Sequence, residues 1–427
     1  MKNHLQKPIL GCIADDFTGA SDLASFLVNS GLRTLQVNRI QVDADLELDG
    51  YDAIVIALKT RTVDASISVE TSLAALQWLK KLGCRKFYFK YCSTFDSTPD
   101  GNIGPVIDAL LDALELQSTI ICPALPVNGR TVYMGHLFVG DAPLNESPLK
   151  DHPLTPMKDS SVVRLIEAQG QGKAVNIPYT CIEGDEMALK QALLEAAQKY
   201  RYIVLDTLNT AHLERIGRNV EAFTLITGSS GLATNLTSEF SKYGCIPDSS
   251  KRAVRLPDGP TLILSGSCSA MTQRQVAQYK LKHPALYIDP FKLLDHTQTY
   301  EQILDWAVQN KSAAPLIYTT SSKEIVSKVQ SEIGFETSQA LLEGTLAKLA
   351  HDCIKAGFKN IVVAGGETSG AIVKTLNIHA FEIGQSVSPG VPILHSITPP
   401  IINLALKSGN FGDQTFFQTA LEKLTCQ

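Results

Sequence analysis

Short apolar runs separated by helical segments constrain the fold of this chain more than any other feature. Strand-like runs occur at 9–14, 53–58, 87–89, 119–121, 203–205 and 224–226. Helix-period stretches lie between them, at 20–29, 69–82, 103–114 and 186–199. Nearly continuous apolar strands bounded by Gly, Pro, Asp or Ser are typical of a parallel sheet covered by helices on both faces. The sequence therefore predicts an α/β protein with largely parallel sheets.

A polar, proline-containing stretch divides the pattern in two. A chain of 427 residues is long for a single core, so two domains are expected. Residues 246–252 read IPDSSKR, and we interpret them as a linker. Beyond them the strand pattern resumes, at 261–264, 316–318, 361–364 and 401–406. The sequence thus predicts α/β domains at 1–247 and 248–427, with an active-site cleft between them, where ligands commonly bind.

Glycine and small hydroxyl residues follow three strands of the second predicted domain. These loops are Ser265-Gly266-Ser267-Cys268-Ser269, Gly365-Gly366-Glu367-Thr368-Ser369-Gly370 and Ser408-Gly409. Free N–H groups at a strand-to-helix turn attract anions, and glycine lets a ligand approach the backbone closely. One such loop is weak evidence, because tight turns generally favour Gly and Ser. Three loops at one sheet edge predict a nucleotide phosphate site.

These loops match no standard nucleotide fingerprint. The chain lacks Gly-x-x-x-x-Gly-Lys-Ser/Thr, and no Gly-x-Gly-x-x-Gly follows a strand. Glu367 and Asp413 are the carboxylates nearest the loops and could hold Mg²⁺ directly or through water. The alternative is that each is a solvated loop charge.

Two aspartates come directly after the first predicted strand. Asp15 and Asp16 follow residues 9–14 and precede a helix, and ligands of parallel sheets bind at the carboxyl ends of strands. The pair could hold sugar hydroxyls, or one carboxylate could accept a proton from an attacking hydroxyl. The alternative is that Asp16 or Thr18 only caps the helix. Two carboxylates in series favour the functional interpretation.

Basic and polar groups follow two further strands. Arg61 comes after the strand at 53–58, and its planar fork suits the carboxylate of an acid substrate, although a solvated loop charge is the alternative. Lys90, Ser93 and Asp96 follow the strand at 87–89 and could grip a polyhydroxy acid through charge and hydrogen bonds. The same stretch could instead cap the helix at 103–114.

Composition excludes several classes of partner. The net charge is −5 without a basic block, which argues against nucleic acid. No apolar run approaches the roughly 20 residues that span a bilayer, and residues 1–8 do not read as a signal peptide. The nine scattered cysteines form no Cys-x-x-Cys pair, which argues against zinc and fits a reducing compartment. We expect a cytoplasmic protein with small-molecule ligands, and the sequence leaves a homo-oligomer open.

Taken together, these motifs resemble those of the four-carbon acid sugar kinases. The resemblance covers essentially the whole chain, and its motifs are IADDFTGA at 13–20, KTR at 59–61, YFKYCSTFDST at 88–98, PALPVNGRT at 123–131, LSGSCS at 264–269, VAGGETSG at 363–370 and LKSGNFGD at 406–413. The resemblance implies an N-terminal domain that binds an acid sugar and a C-terminal domain that binds ATP.

The resemblance also implies roles for individual residues. Acid-sugar contacts would fall on Asp15, Asp16, Arg61, Lys90, Ser93 and Asp96. ATP contacts would fall on Ser265, Gly366, Glu367, Thr368, Ser369 and Gly409.

Within the family, the motifs are most similar to those of the branch that phosphorylates 3-oxo-tetronate. The expected reaction is transfer of a phosphoryl group from ATP to the C4 hydroxyl, with Mg²⁺ neutralising the developing charge. Arg61 or Lys90 would hold the substrate carboxylate, and Asp15 or Asp16 would orient or deprotonate the hydroxyl. The alternatives are a D-threonate or D-erythronate 4-kinase, a non-catalytic sensor of acid sugar and nucleotide, and, more weakly, a dehydrogenase.

Overall fold

The chain forms two compact units, Met1–Arg252 and Ala253–Gln427. The computed structural model describes residues 7–40, 48, 50–152, 155–236 and 258–425. The predicted linker at 246–252 and the predicted boundary after residue 247 lie outside the described residues. The predicted domain limits and the cleft between the domains stay predictions.

The first unit is built on a parallel sheet. The strands of this unit are β1 (Leu10–Ala14), β2 (Thr34–Val37), β3 (Ala53–Ala57), β4 (Lys86–Lys90), β5 (Thr119–Cys122), β6 (Arg130–Tyr133), β7 (His136–Val139), β8 (Ala142–Pro143), β9 (Ala174–Ile177), β10 (Tyr202–Leu205) and β11 (Leu225–Gly228). The parallel sheet has the order β2-β3-β1-β4-β11-β5-β10-β9, while β6, β7 and β8 form a small antiparallel sheet. The strand order reverses direction around β1, so the loops after β3, β1 and β4 are neighbours.

Helices of the first unit pack closely on this sheet. They are α1 (Phe17–Asn29), α2 (Ala65–Leu82), α3 (Ile103–Ala113), α4 (Val162–Gln169), α5 (Tyr179–Glu183), α6 (Glu186–Lys199) and α7 (Thr210–Asn219). The α2 helix buries Leu76 and Leu79, and Gly83 ends it in a left-handed conformation. A side chain at Gly11 would lie 2.9 Å from Leu79 Cδ1, so glycine at this position allows α2 to approach β1.

The second unit has a mixed sheet with a parallel part. Its strands are β12 (Thr261–Ser265), β13 (Ala285–Tyr287), β14 (Leu316–Tyr318), β15 (Asn360–Ala364), β16 (Ala380–Ser388), β17 (Val391–Ser396) and β18 (Asn403–Lys407). Strands β13-β14-β12-β15-β18 are parallel neighbours in that order, and antiparallel β17 and β16 continue from β18. The carboxyl ends of β12, β15 and β18 therefore meet at one edge.

Helices complete the second unit. They are α8 (Ala270–Tyr279), α9 (Pro290–Leu294), α10 (Tyr300–Gln309), α11 (Lys323–Ile333), α12 (Phe335–Lys355), α13 (Gly366–Thr375) and α14 (Phe416–Thr425). The core packs apolar residues of β12, β15 and β18 against α8 and α14, including Tyr279, Phe416 and Phe417. Within the described residues, no helix combines the length and the hydropathy needed to cross a membrane. The predicted α/β class with largely parallel sheets is confirmed.

Candidate functional sites in the two units

An arginine clamps both predicted catalytic aspartates at the edge of the first sheet. Arg61 donates from Nε to Asp15 Oδ2 at 2.8 Å and from Nη2 to Asp15 Oδ1 at 2.9 Å. The same Nη2 lies 2.7 Å from Asp16 Oδ1. The loop backbones are tied as well, because the amides of Thr60 and Arg61 donate to the Asp15 carbonyl and the Asp15 amide donates to the Lys90 carbonyl. The loops after β1, β3 and β4 thus form one connected cluster.

Asp15 and Arg61 of this cluster stay ionised although burial opposes their charges. Burial would raise the pKa of Asp15, but the nearby charges of Arg61 and Lys90 outweigh it and leave that pKa below its ordinary value. Burial would lower the pKa of Arg61, and Asp15 and Asp16 outweigh that effect, so the pKa of the guanidinium is raised. Asp15 and Arg61 therefore form a fixed ion pair.

Lys90 is the second cation of the cluster. Its side chain is buried, with Nζ 3.9 Å from Asp15 Oδ1 and 3.8 Å from Asp16 Oδ1. No hydrogen bond from this ammonium to a described residue accompanies these two ion pairs, so its N–H donors have no hydrogen-bond partner among the described residues. Gly19 makes room for Lys90, because a Cβ at this position would overlap Lys90 Nζ and Asp16 Oδ1.

Asp16 combines a structural and an accessible oxygen. Its Oδ1 accepts from the Gly19 amide at 2.9 Å and caps α1, as the capping alternative predicts. No N–H or hydroxyl of the described residues donates to its Oδ2. The Asp16 side chain is 28% exposed, against 7% for Asp15, so Asp16 is the more accessible of the two carboxylates. Capping and ligand binding are therefore compatible at this residue.

Asp22 is a buried carboxylate that the sequence analysis missed. It lies one turn after Gly19 on α1, and its Oδ2 accepts a hydrogen bond from the Ser230 hydroxyl. Its Oδ1 is buried and has no hydrogen-bond partner among the described residues. Burial raises the pKa of Asp22, and Lys90 partly offsets that effect. No helical or strand pattern distinguishes this aspartate, because its burial depends on the packing of α1 against the segment at 230–235.

The loop after β4 carries the remaining predicted acid-sugar residues. Ser93 and Asp96 are half-buried, and Asp96 Oδ1 accepts from Thr94 Oγ1 at 2.6 Å. Burial raises the pKa of Cys92 to about 11, while Arg61 and Lys90 lower it and Asp96 raises it further. The Cys92 thiol lies 2.9 Å from Thr94 Oγ1, which links it to Asp96. The thiol itself stays protonated at neutral pH.

Two residues shape these loops from outside the predicted set. Asn102 donates from Nδ2 to the carbonyls of Thr60, Arg61 and Val63, at 2.6, 3.3 and 3.1 Å. Phe95 has a φ of 51°, which is uncommon for a non-glycine residue, and its ring packs edge-on against Tyr91 with centroids 5.5 Å apart. Asn102 therefore fixes the Arg61 loop, and Phe95 anchors the loop that carries Ser93 and Asp96.

Three glycine-containing loops converge in the second unit. Gly365 has a φ of 135°, and the next residue begins α13. A Cβ at Gly409 would lie 2.7 Å from Ser267 Oγ, and a Cβ at Gly266 would overlap Thr368 Oγ1. The loops after β12, β15 and β18 thus pack closely on one another, with glycine backbone of one loop against small hydroxyl side chains of the next.

The predicted ATP contacts differ in exposure. Gly366 and Glu367 are exposed at the start of α13, whereas Thr368 and Ser369 are buried. Ser369 Oγ has no hydrogen-bond partner among the described residues. Ser265 is the last residue of β12 and is fully buried, and its hydroxyl lies 2.6 Å from Thr320 Oγ1. A ligand contact of Ser265 would therefore require a change in this hydroxyl pair.

A cavity lies against these loops. It has a volume of about 310 Å³ and is lined by Gly266, Ser267, Thr319, Gln339, Leu342, Glu343, Leu346 and 365–368. A second cavity of about 240 Å³ shares Thr319, Gln339 and Leu342 with it and adds apolar groups such as Tyr287 and Val329. The more apolar second cavity therefore adjoins the glycine-lined one.

The sequence analysis did not single out α12 as part of this cavity. Gln339, Leu342, Glu343 and Leu346 line the cavity, and their spacing of three, four and seven residues is that of one helix face. Burial and the charge of Glu367 raise the pKa of Glu343, while a hydrogen bond from Gln339 lowers it. The helical period of this face is readable from the sequence. The sequence does not say that the face meets the loops after β12 and β15.

Comparison with known proteins agrees with the two-part organisation. Residues 10–236 match the family model described as a sugar-binding N-terminal domain, and residues 262–417 match a nucleotide-binding C-terminal domain. A Brucella melitensis protein named 3-oxo-tetronate kinase is 47% identical over 96% of this chain and 94% of its own length. The chain belongs to the four-carbon acid sugar kinase family.

Other members of the acid sugar kinase family are equally similar. A Pectobacterium atrosepticum protein, also named 3-oxo-tetronate kinase, is 48% identical over 96% of this chain and 98% of its own length. A crystal structure from Salmonella typhimurium LT2, described as a candidate tRNA synthase, has a TM-score of 0.90 and 44% identity over 97% of this chain and 99% of the other. The predicted family is confirmed.

The structure groups most of the predicted family residues into two clusters, one in each unit. It brings Asp15, Asp16, Arg61 and Lys90 together through ion-pair contacts, and it places Ser93 and Asp96 on the adjoining loop. In the second unit it groups the loops of Gly366–Ser369 and Gly409, with Ser265 buried beneath them. Asp413 binds the amide and hydroxyl of Thr415 before α14. The contact of each residue with a ligand stays a prediction.

Proposed function

We propose that this protein is an ATP-dependent kinase that phosphorylates the C4 hydroxyl of 3-oxo-tetronate. The observation that carries the proposal is the partly buried cluster of Arg61, Lys90, Asp15 and Asp16, which combines unused cation donors with an accessible carboxylate. Relatives named 3-oxo-tetronate kinase, at 43–48% identity over nearly the whole chain, support the choice of substrate. The glycine-rich loops of the second unit support ATP as the donor.

The acceptor would be held by its carboxylate. Lys90 has N–H donors without a hydrogen-bond partner, and the described contacts of Arg61 use Nε and Nη2 but not Nη1. Two cations side by side favour an anionic ligand, and their carboxylate neighbours suit its hydroxyl groups. A four-carbon acid with hydroxyl groups meets both requirements. Ser93 and Asp96 would add hydrogen bonds from the adjoining loop.

The transfer step requires the C4 hydroxyl to lose its proton. The hydroxyl oxygen forms a bond to the γ-phosphorus while the bond from that phosphorus to the bridging oxygen breaks, ADP leaves, and the proton passes to a carboxylate. Asp16 suits this role better than Asp15. Both oxygens of Asp15 accept from Arg61 and its pKa is lowered, whereas Asp16 Oδ2 receives no N–H or hydroxyl donor from the described residues.

The glycine-containing loops of the second unit fit a nucleoside triphosphate as phosphoryl donor. The N-terminus of α13 offers free amides behind Gly365, and glycines 366 and 370 have open space where a Cβ would stand. Ser369 Oγ adds a buried polar atom without a described partner. We assign Ser265, Gly366, Glu367, Thr368, Ser369 and Gly409 to this nucleotide site.

The carboxylates fit Mg²⁺ that is held largely by the nucleotide. Within the described ranges, no three His, Cys, Asp or Glu side chains gather as a metal site. Mg²⁺ in kinases takes one or two carboxylates together with substrate phosphates, and exposed Glu367 at the cavity could supply one. When bound, Mg²⁺ would neutralise charge on the phosphates.

A substrate panel tests the proposal. ADP formation is measured with 3-oxo-tetronate, D-threonate, D-erythronate and no acid sugar, and ³¹P NMR locates the phosphate in the product. We expect the highest kcat/KM with 3-oxo-tetronate and phosphate on C4. A higher kcat/KM with D-threonate or D-erythronate would favour those alternatives. Ligand-induced thermal shifts without ADP would indicate a sensor and would contradict the kinase proposal.

A further inference from the structure

A fully buried lysine lies at the carboxyl end of β18, directly before the Ser408-Gly409 loop. Lys407 is 0% exposed. Burial lowers its pKa to about 8, so the ammonium is charged at neutral pH. No carboxylate of the described residues forms an ion pair with it. A buried cation without a counter-ion is costly, so this charge requires an explanation.

The hydrogen bonds of Lys407 point to the loop. Its Nζ donates to Gly409 O at 2.8 Å, to Thr272 Oγ1 at 3.0 Å and to Ser408 O at 3.1 Å. An ammonium has three donors, so all of them are used. Lys407 therefore binds no ligand directly, and its contacts fix the backbone of a loop assigned to the nucleotide.

The Gly409 carbonyl is the meeting point of these contacts. It also accepts from Ser269 Oγ at 2.6 Å and from Thr272 Oγ1 at 2.7 Å. Three donors converge on one carbonyl, which fixes the direction of this peptide group. In a planar trans peptide the N–H points opposite to the C=O, so the Asn410 amide is directed away from Lys407. The orientation of this amide is thus set from beneath the loop.

We propose that Lys407 is a positioning residue for the phosphates of the nucleotide, fixing the peptide between Gly409 and Asn410 and supplying behind it a positive charge that no described carboxylate pairs with. This inference rests on the proposed function, since it assumes that Gly409 contacts ATP. A bound phosphate would provide the counter-ion that the described residues lack. The charge acts through the loop and does not touch the reacting atoms.

Single substitutions at Lys407, with one at Lys374 as control, test the positioning role of Lys407. In the full-length chain, Lys407→Met removes the charge at similar side-chain length, Lys407→Arg keeps it, and Lys374→Met changes an exposed lysine of α13. The dissociation constant for ADP is measured by calorimetry, and KM is measured for ATP and for the acid sugar. We expect Lys407→Met to raise the ADP Kd and the ATP KM by about 10- to 100-fold. Lys407→Arg should recover part of this loss, and Lys374→Met should match the wild type.

Comparison of the acid-sugar KM with the nucleotide affinity distinguishes a positioning role from a general loss of structure. The acid-sugar KM should stay within about twofold in all folded variants, because the described contacts of Lys407 all lie within the second unit. Unchanged ADP affinity in folded Lys407→Met, or equal losses for both substrates, would overturn the inference. If wild type turns over the acid sugar and binds ADP, either of these outcomes in Lys407→Met rejects this inference alone. If wild type binds no ADP, both this inference and the proposed function are rejected.

A second variant covers the case in which Lys407→Met does not fold. Thr272→Val removes one partner of Nζ and one of the Gly409 carbonyl while leaving the charge in place. It should raise the ADP Kd by a smaller factor without changing the acid-sugar KM. Wild-type ADP affinity in this variant would contradict the positioning role.

Discussion

Arg61 holds Asp15, 46 residues earlier in the chain, through two parallel hydrogen bonds of 2.8 and 2.9 Å. This fork occupies both carboxylate oxygens of Asp15 and lowers its pKa. The same guanidinium reaches only Oδ1 of Asp16. One arginine thus makes two adjacent aspartates unequal, the first a fixed counter-ion and the second a carboxylate with an oxygen to offer a ligand.

Replacing Arg61 by lysine should impair catalysis although the charge is kept. Lysine cannot reproduce the planar fork, so Asp15, Asp16 and the bound acid would lose their common orientation. We expect Arg61→Lys to lower kcat/KM for the acid sugar by about 100-fold. Steady-state kinetics with ATP saturating measures this effect.

Arg164 provides the matched control. It binds Asp159 with the same two-bond geometry, at 2.6 and 2.6 Å, but its side chain is 61% exposed. Exposed pairs contribute little, so Arg164→Lys should leave kcat/KM and Tm close to the wild type. A similar loss in both variants would show that the effect of Arg61→Lys is not specific to the cluster.

Substitution by asparagine should have different effects at Asp15 and at Asp16. Asp16→Asn keeps an oxygen for capping α1 but removes the base, so kcat should fall by about 100-fold or more with little change in Tm. Asp15→Asn removes the counter-ion of Arg61 and should lower the free energy of unfolding by on the order of 2 kcal/mol. Thermal unfolding and turnover are measured on both variants. Wild-type turnover by Asp16→Asn would reject its role as base.

The Asp15 ion pair should also make stability depend on pH. The pKa of Asp15 is lowered in the folded chain, so the ionised form favours folding. This contribution is fully present above about pH 4, near the ordinary aspartate pKa, and is lost as pH falls through the folded value. The difference in unfolding free energy between wild type and Asp15→Asn should therefore shrink below about pH 4. Urea unfolding across the acid range measures it, and a constant difference would contradict the assignment.

Adding a methyl group at Gly19 should disrupt the acid-sugar site selectively. A Cβ there would overlap Lys90 Nζ and Asp16 Oδ1, and a displaced ammonium cannot serve the substrate carboxylate. We expect Gly19→Ala to raise the acid-sugar KM at least about tenfold while ADP affinity stays unchanged. Gly344 is the control, since it lies within α12 with no atom within 4 Å of its Cβ position. Gly344→Ala should raise stability by about 1 kcal/mol, and an unchanged KM in Gly19→Ala would refute the crowding argument.

Much of this protein could be predicted from local patterns. The apolar runs located β1, β3 and β4 to within one residue at most ends, because a strand buried on both faces must be apolar throughout. Asp15, Asp16 and Arg61 each come just after a predicted strand, and parallel strands end at one edge. The family followed from motifs spread along the chain.

Other features depended on tertiary packing. Asp22 became a buried carboxylate only when α1 met Ser230, and Asn102 reached the Arg61 loop from 41 residues away. The α12 face that lines the cavity has an ordinary helical period, which does not specify its partner. Lys407 reads in sequence as the end of a strand, yet its full burial and its hydrogen bond to Thr272 of α8 arise from tertiary packing.

The sequence by itself determined the strands, the loops that follow them and the types of residue those loops carry, because these depend on local apolar periodicity and on glycine. Only the tertiary structure decided which charges pair and which donors stay unused. Pairing requires atoms to lie within about 3 Å, and that proximity results from the register of neighbouring strands and from the depth at which each helix packs.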